Sequence, residues 1–426
     1  MTFANFFHAQ SAFLWSTFAI SVILGMVVNK TNFCTMGAVS DLVNMGDSGR
    51  FRAWILAATV ALIGVMVLEV SGLVHLSSTT LPPYRGGQFQ WGRYILGGFL
   101  FGVGMTLGSG CANKTLIRIG GGNIKSLFVF LMIAIVAYYM VDPFKELPST
   151  WYQSYFAPWL GKASVSLKGN QDLGSIVGNS VGVAPMTMRL ILGSIIGIVS
   201  LYILFRSVDF RKNFDNVFAG IVIGVAVIAA WYVTSNILLN SDSGSHQSLT
   251  QFYNNWDFNM NSAVGKPKNG GTNLLPQSFT FVSPLGQVFG YAIQGAKTNF
   301  LTFGVVSVFG VLLGSFLWAL FSRSFRIEWF ASFKDFITHI IGGILMGFGG
   351  VLGLGCTIGQ GITGISTMAL GSFMVFLSIV FGSALTMKIQ YYKLVYEKEA
   401  TFLKALTTSL VDMKLLPSGL RQLEAV

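Results

Sequence analysis

The chain has 426 residues, of which 53% are apolar and only 10% charged, with 50 glycines and a formal net charge of +11. Soluble proteins carry about 25% charged residues, so this composition excludes a soluble enzyme, a disordered chain and a secreted disulfide scaffold. A bilayer-spanning helix takes about 20 apolar residues, so 53% of 426 allows up to about ten crossings and an all-α polytopic membrane protein.

The apolar runs are continuous, as in AWILAATVALIGVMVLEV at residues 53–70, whereas the strands of an outer-membrane barrel alternate. Backbone groups in lipid must be satisfied within the segment, which selects helices. The N-terminus has no basic region before its first apolar stretch and is expected to be retained, not cleaved as a signal. Helices are predicted at 11–28, 53–75, 94–108, 126–141, 186–205, 217–236, 285–296, 301–321, 336–354 and 367–387. Several are short or glycine-rich for a plain span. The expected divisions are a first membrane repeat at 1–141, a long loop at 142–185 and connecting helices at 186–236. A second long loop at 237–284, a second repeat at 285–387 and a basic tail at 388–426 follow. Long connections of this kind are usually functional or capping segments. Arg50, Arg52, Arg206, Arg211, Lys212, Arg323, Arg326 and Lys334 mark short basic connections. The positive-inside tendency places these and the tail in the cytoplasm, with the long loops outside.

Two elements occur twice in the same order. ILGGFLFGVGMTLGSGC, ending at Cys111, matches IIGGILMGFGGVLGLGC, ending at Cys356, at 10 of 17 positions with an offset of 245, six of them glycines. KTNFCTMGAVS from Lys30 matches KTNFLTFGVVS from Lys297 at 8 of 11 positions with an offset of 267. The offsets differ by 22, which assigns extra material to the first half around 53–93. Internal repeats are a mark of transporters, with sites at the repeat interface and on broken helices. Their relative orientation is not readable from the sequence.

Glycine pairs spaced by four let helices approach closely. That does not explain why both runs end in Gly-x-Gly-Cys followed by ANKTLIRIGGGN or TIGQGITG. These stretches predict helices that break within the membrane, with a second short helix starting after the break. Gly110, Asn113, Lys114, Gly355, Thr357 and Gln360 would then lie around two helix N-termini, which suit an anion. Such irregular backbone is tolerated at membrane depth only when buried or lining a cavity. A lone membrane cysteine is usually a small hydrophobe. Cys111 and Cys356 stand at equivalent repeat positions, however, and Cys34 lies in the other repeated element, which favours a functional role; Leu301 replaces Cys34 in the second half. No spacing suggests a metal or iron–sulfur centre, and no cofactor is expected. Cations within membrane segments are functional candidates, here Lys30, Lys114, Arg118 and Lys297, although Lys30 and Lys297 also fit snorkelling helix ends. Glu69 and Asp41 are the acids to consider for proton or ion coupling, with a packing role favoured. The four histidines are scattered, and a thiol without an adjacent base gives little support for nucleophilic chemistry.

With NFCTMGAVSD at 32–41, GGFLFGVGMTLGSGC at 97–111 and GGILMGFGGVLGLGC at 342–356, the chain resembles the YeeE/YedE family of sulfur-transport membrane proteins. The resemblance covers about 11–141 and 285–387. It implies an hourglass-like fold with two concave faces and glycine-rich loops whose cysteines, here Cys34, Cys111 and Cys356, meet near the membrane centre. It also implies passage of a small inorganic sulfur anion, thiosulfate or a relative of it, across an inner membrane, and a cytoplasmic sulfur-carrier protein as partner. A selenium species is an alternative cargo within the family. Two further alternatives are a membrane sulfurtransferase or thiol-redox protein carrying a persulfide, and a non-catalytic subunit that docks a partner through its loops. Nucleic acid is not an expected partner.

Overall fold

The computed structural model describes residues 1–76, 79–240, 246–256, 266, 274–397 and 399–424. Lys398 of the expected basic tail and much of the second long loop lie outside the described residues. The first half contains α1 (Phe6–Lys30), α2 (Thr35–Ser40), α3 (Gly49–Val70), α4 (Trp91–Leu107), α5 (Ala112–Gly120) and α6 (Ile124–Val141). Next come α7 (Leu173–Val181), α8 (Pro185–Phe205) and α9 (Phe214–Asn236). The second half contains α10 (Val282–Ile293), α11 (Phe303–Phe321), α12 (Phe333–Leu352), α13 (Leu370–Val395) and α14 (Phe402–Asp412). Among the described residues nine helical segments are long and apolar enough to cross a membrane. Two of them, Phe6–Met45 and Trp91–Gly120, are helices with a break inside.

Several expected boundaries move, each for a local reason. The helix expected to reach His75 stops at Val70, where Gly72 takes φ +71° and turns the chain. Its basic end starts earlier, at Gly49, because positive side chains at a membrane face need not interrupt a helix. The helix expected at 285–296 starts at Val282 and ends at Ile293, too short to be a span. Residues 388–395 of the expected tail continue α13, and the tail then folds back as α14. There Asp412 accepts hydrogen bonds from Tyr392 (2.7 Å) and Lys388 (3.4 Å) and pairs with Arg421. Burial pushes the Asp412 carboxyl up, but the Tyr392 hydroxyl and the two cations outweigh it and hold it below the usual carboxylate range. Met413 packs with Val39, Ala384 and Met387, bringing the C-terminal segment against α2.

Side-chain ties identify the two faces. Arg52 at the start of α3 donates to the Ile203 carbonyl (3.0 Å) near the end of α8. Lys30 at the end of α1 lies 4.0 Å from Asp215 in the first turn of α9 and 5.9 Å from the Trp318 ring late in α11. These ends form a basic face. On the opposite face the Met1 amino group donates to the Asn236 carbonyl (2.8 Å), and Thr2–Phe3 pairs with Leu238–Leu239.

The centre is packed through missing side chains. α4 and α12 run antiparallel so closely that a Cβ on Gly104 would lie 2.7 Å from both the Gly342 carbonyl oxygen and the Met346 nitrogen. A Cβ on Gly349 would meet the Phe101 nitrogen, and one on Gly98 would lie 2.6 Å from the Val375 carbonyl on α13. Without a hydrophobic drive between helices in lipid, such close approach supplies the van der Waals contact that holds them together. Polar ties add to it: Thr106 and Ser383 hydroxyls sit 2.8 Å apart, and Ser315 donates to the Ile117 carbonyl at 2.7 Å.

Candidate functional site

Each of the three cysteines is the residue from which a short helix starts. Cys34 precedes α2, Cys111 precedes α5 and Cys356 precedes a helical stretch over 357–366 with wide turns. All three are free thiols and buried. The two Gly-x-Gly-Cys turns share one backbone. In the first, Gly108, Ser109 and Gly110 donate to the carbonyls of Gly104, Thr106 and Met105 (2.8, 3.4 and 2.9 Å). In the second, Gly353, Leu354 and Gly355 donate to those of Gly349, Val351 and Gly350 (2.8, 3.1 and 2.8 Å). The middle residue is left-handed in both, with φ +58° at Ser109 and +57° at Leu354. This is the bonding that ends a helix by satisfying its last carbonyls, so the chain stops and restarts without stranding acceptors. The thiols then occupy the position of a capping hydroxyl. The Gly359 amide donates to the Cys356 sulfur at 3.4 Å, and the Lys114 amide, its counterpart 245 residues earlier, faces the Cys111 sulfur.

Cys111 lies within electrostatic reach of both Cys34 and Cys356, and the Thr357 hydroxyl sits beside its thiol. Thr280 is placed in the same way beside Cys356. Among the described residues around this junction, Thr35 Oγ1, Asn113 Oδ1 and Gln360 Oε1 are buried side-chain oxygens with no hydrogen-bond partner, while the Thr357 and Thr280 hydroxyls have only the neighbouring Cys111 and Cys356 thiols beside them. An unpaired buried polar atom costs about 1–3 kcal/mol, and these five oxygens with three thiols make a polar lining amid packed apolar helices. Gln360 spends its amide on the Gly353 carbonyl (2.6 Å), capping the end of α12. Gly110 and Gly355 keep the turns narrow. A Cβ on Gly110 would touch Lys114 Cγ at 3.1 Å, and one on Gly355 would sit 3.2 Å from Thr280 Oγ1. Among the described residues no cluster of His, Cys, Asp and Glu is placed to hold a metal ion.

The cations expected along the pathway separate into two groups. Lys114 donates to Asn32 Oδ1, and Asn32 is itself a left-handed residue (φ +49°) two positions before Cys34. Arg118 donates to the Ser109 carbonyl at 2.7 Å, clamping the first turn. Lys30, by contrast, turns into an aromatic cage of Phe214, Phe218 and Trp318, with ring centres 5.6, 5.0 and 5.9 Å away. Lys297 stands exposed at the residue before a single turn at Thr298–Phe300. The two suspected acids are both paired. Asp41 binds Arg50 through two contacts. Glu69 receives Arg85 at 2.5 and 2.8 Å, with Arg189 3.9 Å away.

Three features had no place in the sequence reading. Residues 277–280, outside any helix, pass the junction and bring in Thr280. The alternation of Ser278 and Thr280 with stacked Phe279 and Phe281 was the available signal. Arg85 reaches the Thr367 carbonyl (3.0 Å) at the far end of the Cys356 helix, and joins Glu69, Arg189 and Asp172 in a buried ion network. Burial raises the Asp172 carboxyl's affinity for a proton, but the Arg189 hydrogen bonds and the field of Arg85 outweigh this and hold it below the usual carboxylate range. Finally, a cavity of about 370 Å³ opens on the face away from the basic connections. Thr280 and Gly355 are in its wall, and among the described residues Arg93 is the charged one that lines it.

A model of the sulphur transport family matches residues 30–385. Two relatives named as thiosulfate transporter TsuA are similar over most of their lengths. The Escherichia coli (strain K12) protein is 23% identical over 360 residues, covering 80% of this chain and 84% of the relative. The Spirochaeta thermophila protein is 23% identical over 380 residues, covering 87% and 97%. Both carry a transporter's name, in keeping with the expectation that the chain is not an enzyme. The matched residues run from Lys30, just before Cys34, through both Gly-x-Gly-Cys turns and into α13, and the chain belongs to the sulphur transport family.

Proposed function

We propose that the protein is a permease for thiosulfate or a closely related reduced-sulfur anion, with the central junction as its pathway. Cys34, Cys111 and Cys356 line it, assisted by Gly110, Asn113, Lys114, Gly355, Thr357 and Gln360. The observation that carries this reading is a buried set of polar side chains beside three free thiols, each thiol at the start of a short helix. An anion leaving water needs donors. Here they are the thiols, the threonine hydroxyls and the Asn113 amide nitrogen, backed by the positive ends of α5 and of the 357–366 helix. None is a tight clamp, and a permeant must leave as readily as it arrives.

α4 and α12 are antiparallel, and the short helices after them leave the junction toward opposite faces. That supports inverted repeats meeting at a waist, the arrangement expected of an hourglass. With the basic face in the cytoplasm, α14 and the C-terminus lie there too, where a cytoplasmic sulfur carrier would receive the anion. Lys30 fits a membrane anchor better than a pathway group, and Lys297 fits a position at the outer rim.

The test is uptake of labelled thiosulfate by cells lacking their own sulfur importers. Wild type should accumulate label, while Cys111→Ala and Cys356→Ala at matched membrane levels should not. Normal uptake by a well-expressed Cys356→Ala protein would overturn the reading.

A further inference from the structure

The repeated KTNF element leaves its two lysines in different company. Lys30, at the basic face, is met by the protein itself, with Asp215 4.0 Å away and the Phe218 ring centre 5.0 Å away. Lys297, its counterpart 267 residues later, precedes α11, whose far end carries Trp318 at the basic face, so Lys297 lies at the opposite one. It is exposed, and among the described residues no acid or ring is placed against it. The next two residues, Thr298 and Asn299, border a groove of about 490 Å³ between α1 and the start of α11. Gln10 and Ser11 line its upper end, and Trp15, Phe18 and Val306 line it deeper in the membrane. Among the described residues no acid lines it, and none of its residues is shared with the cavity at Thr280. Trp15 is 71% exposed on a membrane-spanning helix, so the groove opens sideways to lipid.

We infer that this groove is a binding site for one phospholipid with an anionic headgroup, its headgroup at Lys297 and Asn299 and one acyl chain lying along α1. The site is lateral and does not depend on the permease reading. Its length fits. Phe7 and Phe18, the first and last α1 residues of the groove, are separated by about 16 Å of helix, and one leaflet's half of a 30 Å hydrocarbon core is about 15 Å. Its polarity fits as well, with amide and hydroxyl donors at headgroup depth and aromatic and aliphatic surface where a chain would lie. The charge selects the headgroup. A cation without a protein partner, beside a groove without an acid, favours a lipid of net negative charge over a zwitterionic one. Snorkelling to water accounts for an exposed lysine alone, and it predicts that the headgroup makes no difference.

The test uses the purified full chain in detergent with phosphatidylglycerol or phosphatidylcholine of identical chains, each bearing a photoactivatable diazirine on one chain. Cross-linked residues are read by mass spectrometry. Phosphatidylglycerol should label residues 7–18 about fivefold more than phosphatidylcholine does, and Lys297→Gln should bring the two lipids to parity. Helix α8, with Ile195, Ile198 and Ile203 exposed, serves as an ordinary lipid-facing surface and should show no such preference. Equal labelling of residues 7–18 by the two lipids would overturn the site, and so would a preference that survives Lys297→Gln.

A second variant separates the groove from the charge. Val306→Trp keeps Lys297 but fills the groove from the α11 side, and the extra labelling by phosphatidylglycerol should be lost. Undiminished labelling in Val306→Trp would overturn the groove as the seat of the chain. A dimer whose cross-links join Trp15 of one copy to Trp15 of another would give the groove to a second copy of the chain and overturn the lipid. Phosphatidylglycerol should also raise the unfolding midpoint of wild type more than that of Lys297→Gln, and equal shifts in the two proteins would count against the site.

Discussion

The two Gly-x-Gly-Cys turns have the same hydrogen bonds and the same left-handed middle residue, yet different electrical surroundings. The Cys111 turn is clamped by its own following helix, where Arg118 binds the Ser109 carbonyl and Lys114 stretches to Asn32. The Cys356 helix carries no charge over 357–366, with Gly359 where the first half has Lys114. It is held from outside by Arg85, which is in turn fixed by Glu69. The shared backbone builds the break and presents the thiol. The cations that hold it in place can lie on either side of the turn, and so they also give the two approaches to the junction different characters. One approach offers Lys114 close to the thiols, the other Arg93 at the head of a cavity.

The largest effect expected from this contrast is on stability. Glu69→Gln removes the partner of a wholly buried arginine, a change that costs about 3–5 kcal/mol, and the unfolding midpoint of the purified protein should drop accordingly. Lys114→Gln, on the other side, should cost less than about 1 kcal/mol because its partner is a neutral asparagine, yet reduce thiosulfate uptake severely. Equal losses of stability in the two variants would break the comparison. Next in size is the shared packing between the turns. Gly104→Ala forces a methyl group onto the α12 backbone and should cost about 1–3 kcal/mol, measured by the same unfolding curve.

The ion network also sets an acid limit. The Asp172 carboxyl titrates below its unfolded value, so its contribution is complete above the ordinary carboxylate range near pH 4 and is lost as the pH falls through the lower folded value. Unfolding midpoints should therefore fall on acidification below about pH 4, and Asp172→Asn should be less stable at neutral pH with a flatter acid limb. The smallest effect belongs to the turn itself. Ser109→Gly relieves a left-handed serine and should gain no more than about 1 kcal/mol.

The membrane helices were legible in the sequence because continuous apolar runs leave no other backbone solution. The two breaks were legible too, since glycine followed by cysteine and polar residues interrupts an otherwise uniform apolar pattern. α2, α5 and the 357–366 helix are too short to display a period, so only their starting points could be inferred. Thr280 reached the junction from inside a stretch that reads as loop. The Arg85–Glu69–Arg189–Asp172 network joins residues 16 and 17 positions apart to others about a hundred positions away, and no local pattern encodes such pairing. Arg93 was hidden for a similar reason, because the cavity it lines is made by seven separate stretches of chain.

Glu69 and Asp41, the two acids suspected of proton coupling, are both locked against arginines. Among the described residues the junction then offers a dianion neutral donors and lysine, with no unpaired carboxylate beside them. A thiosulfate that crossed without a coupled ion would move two negative charges across the membrane. Against a potential of 100 mV, negative inside, that is opposed by about 4.6 kcal/mol, twice the ~2.3 kcal/mol per charge. Accumulation would consequently require rapid consumption of the anion on the cytoplasmic side, and collapsing the potential with a potassium ionophore should speed its inward flow.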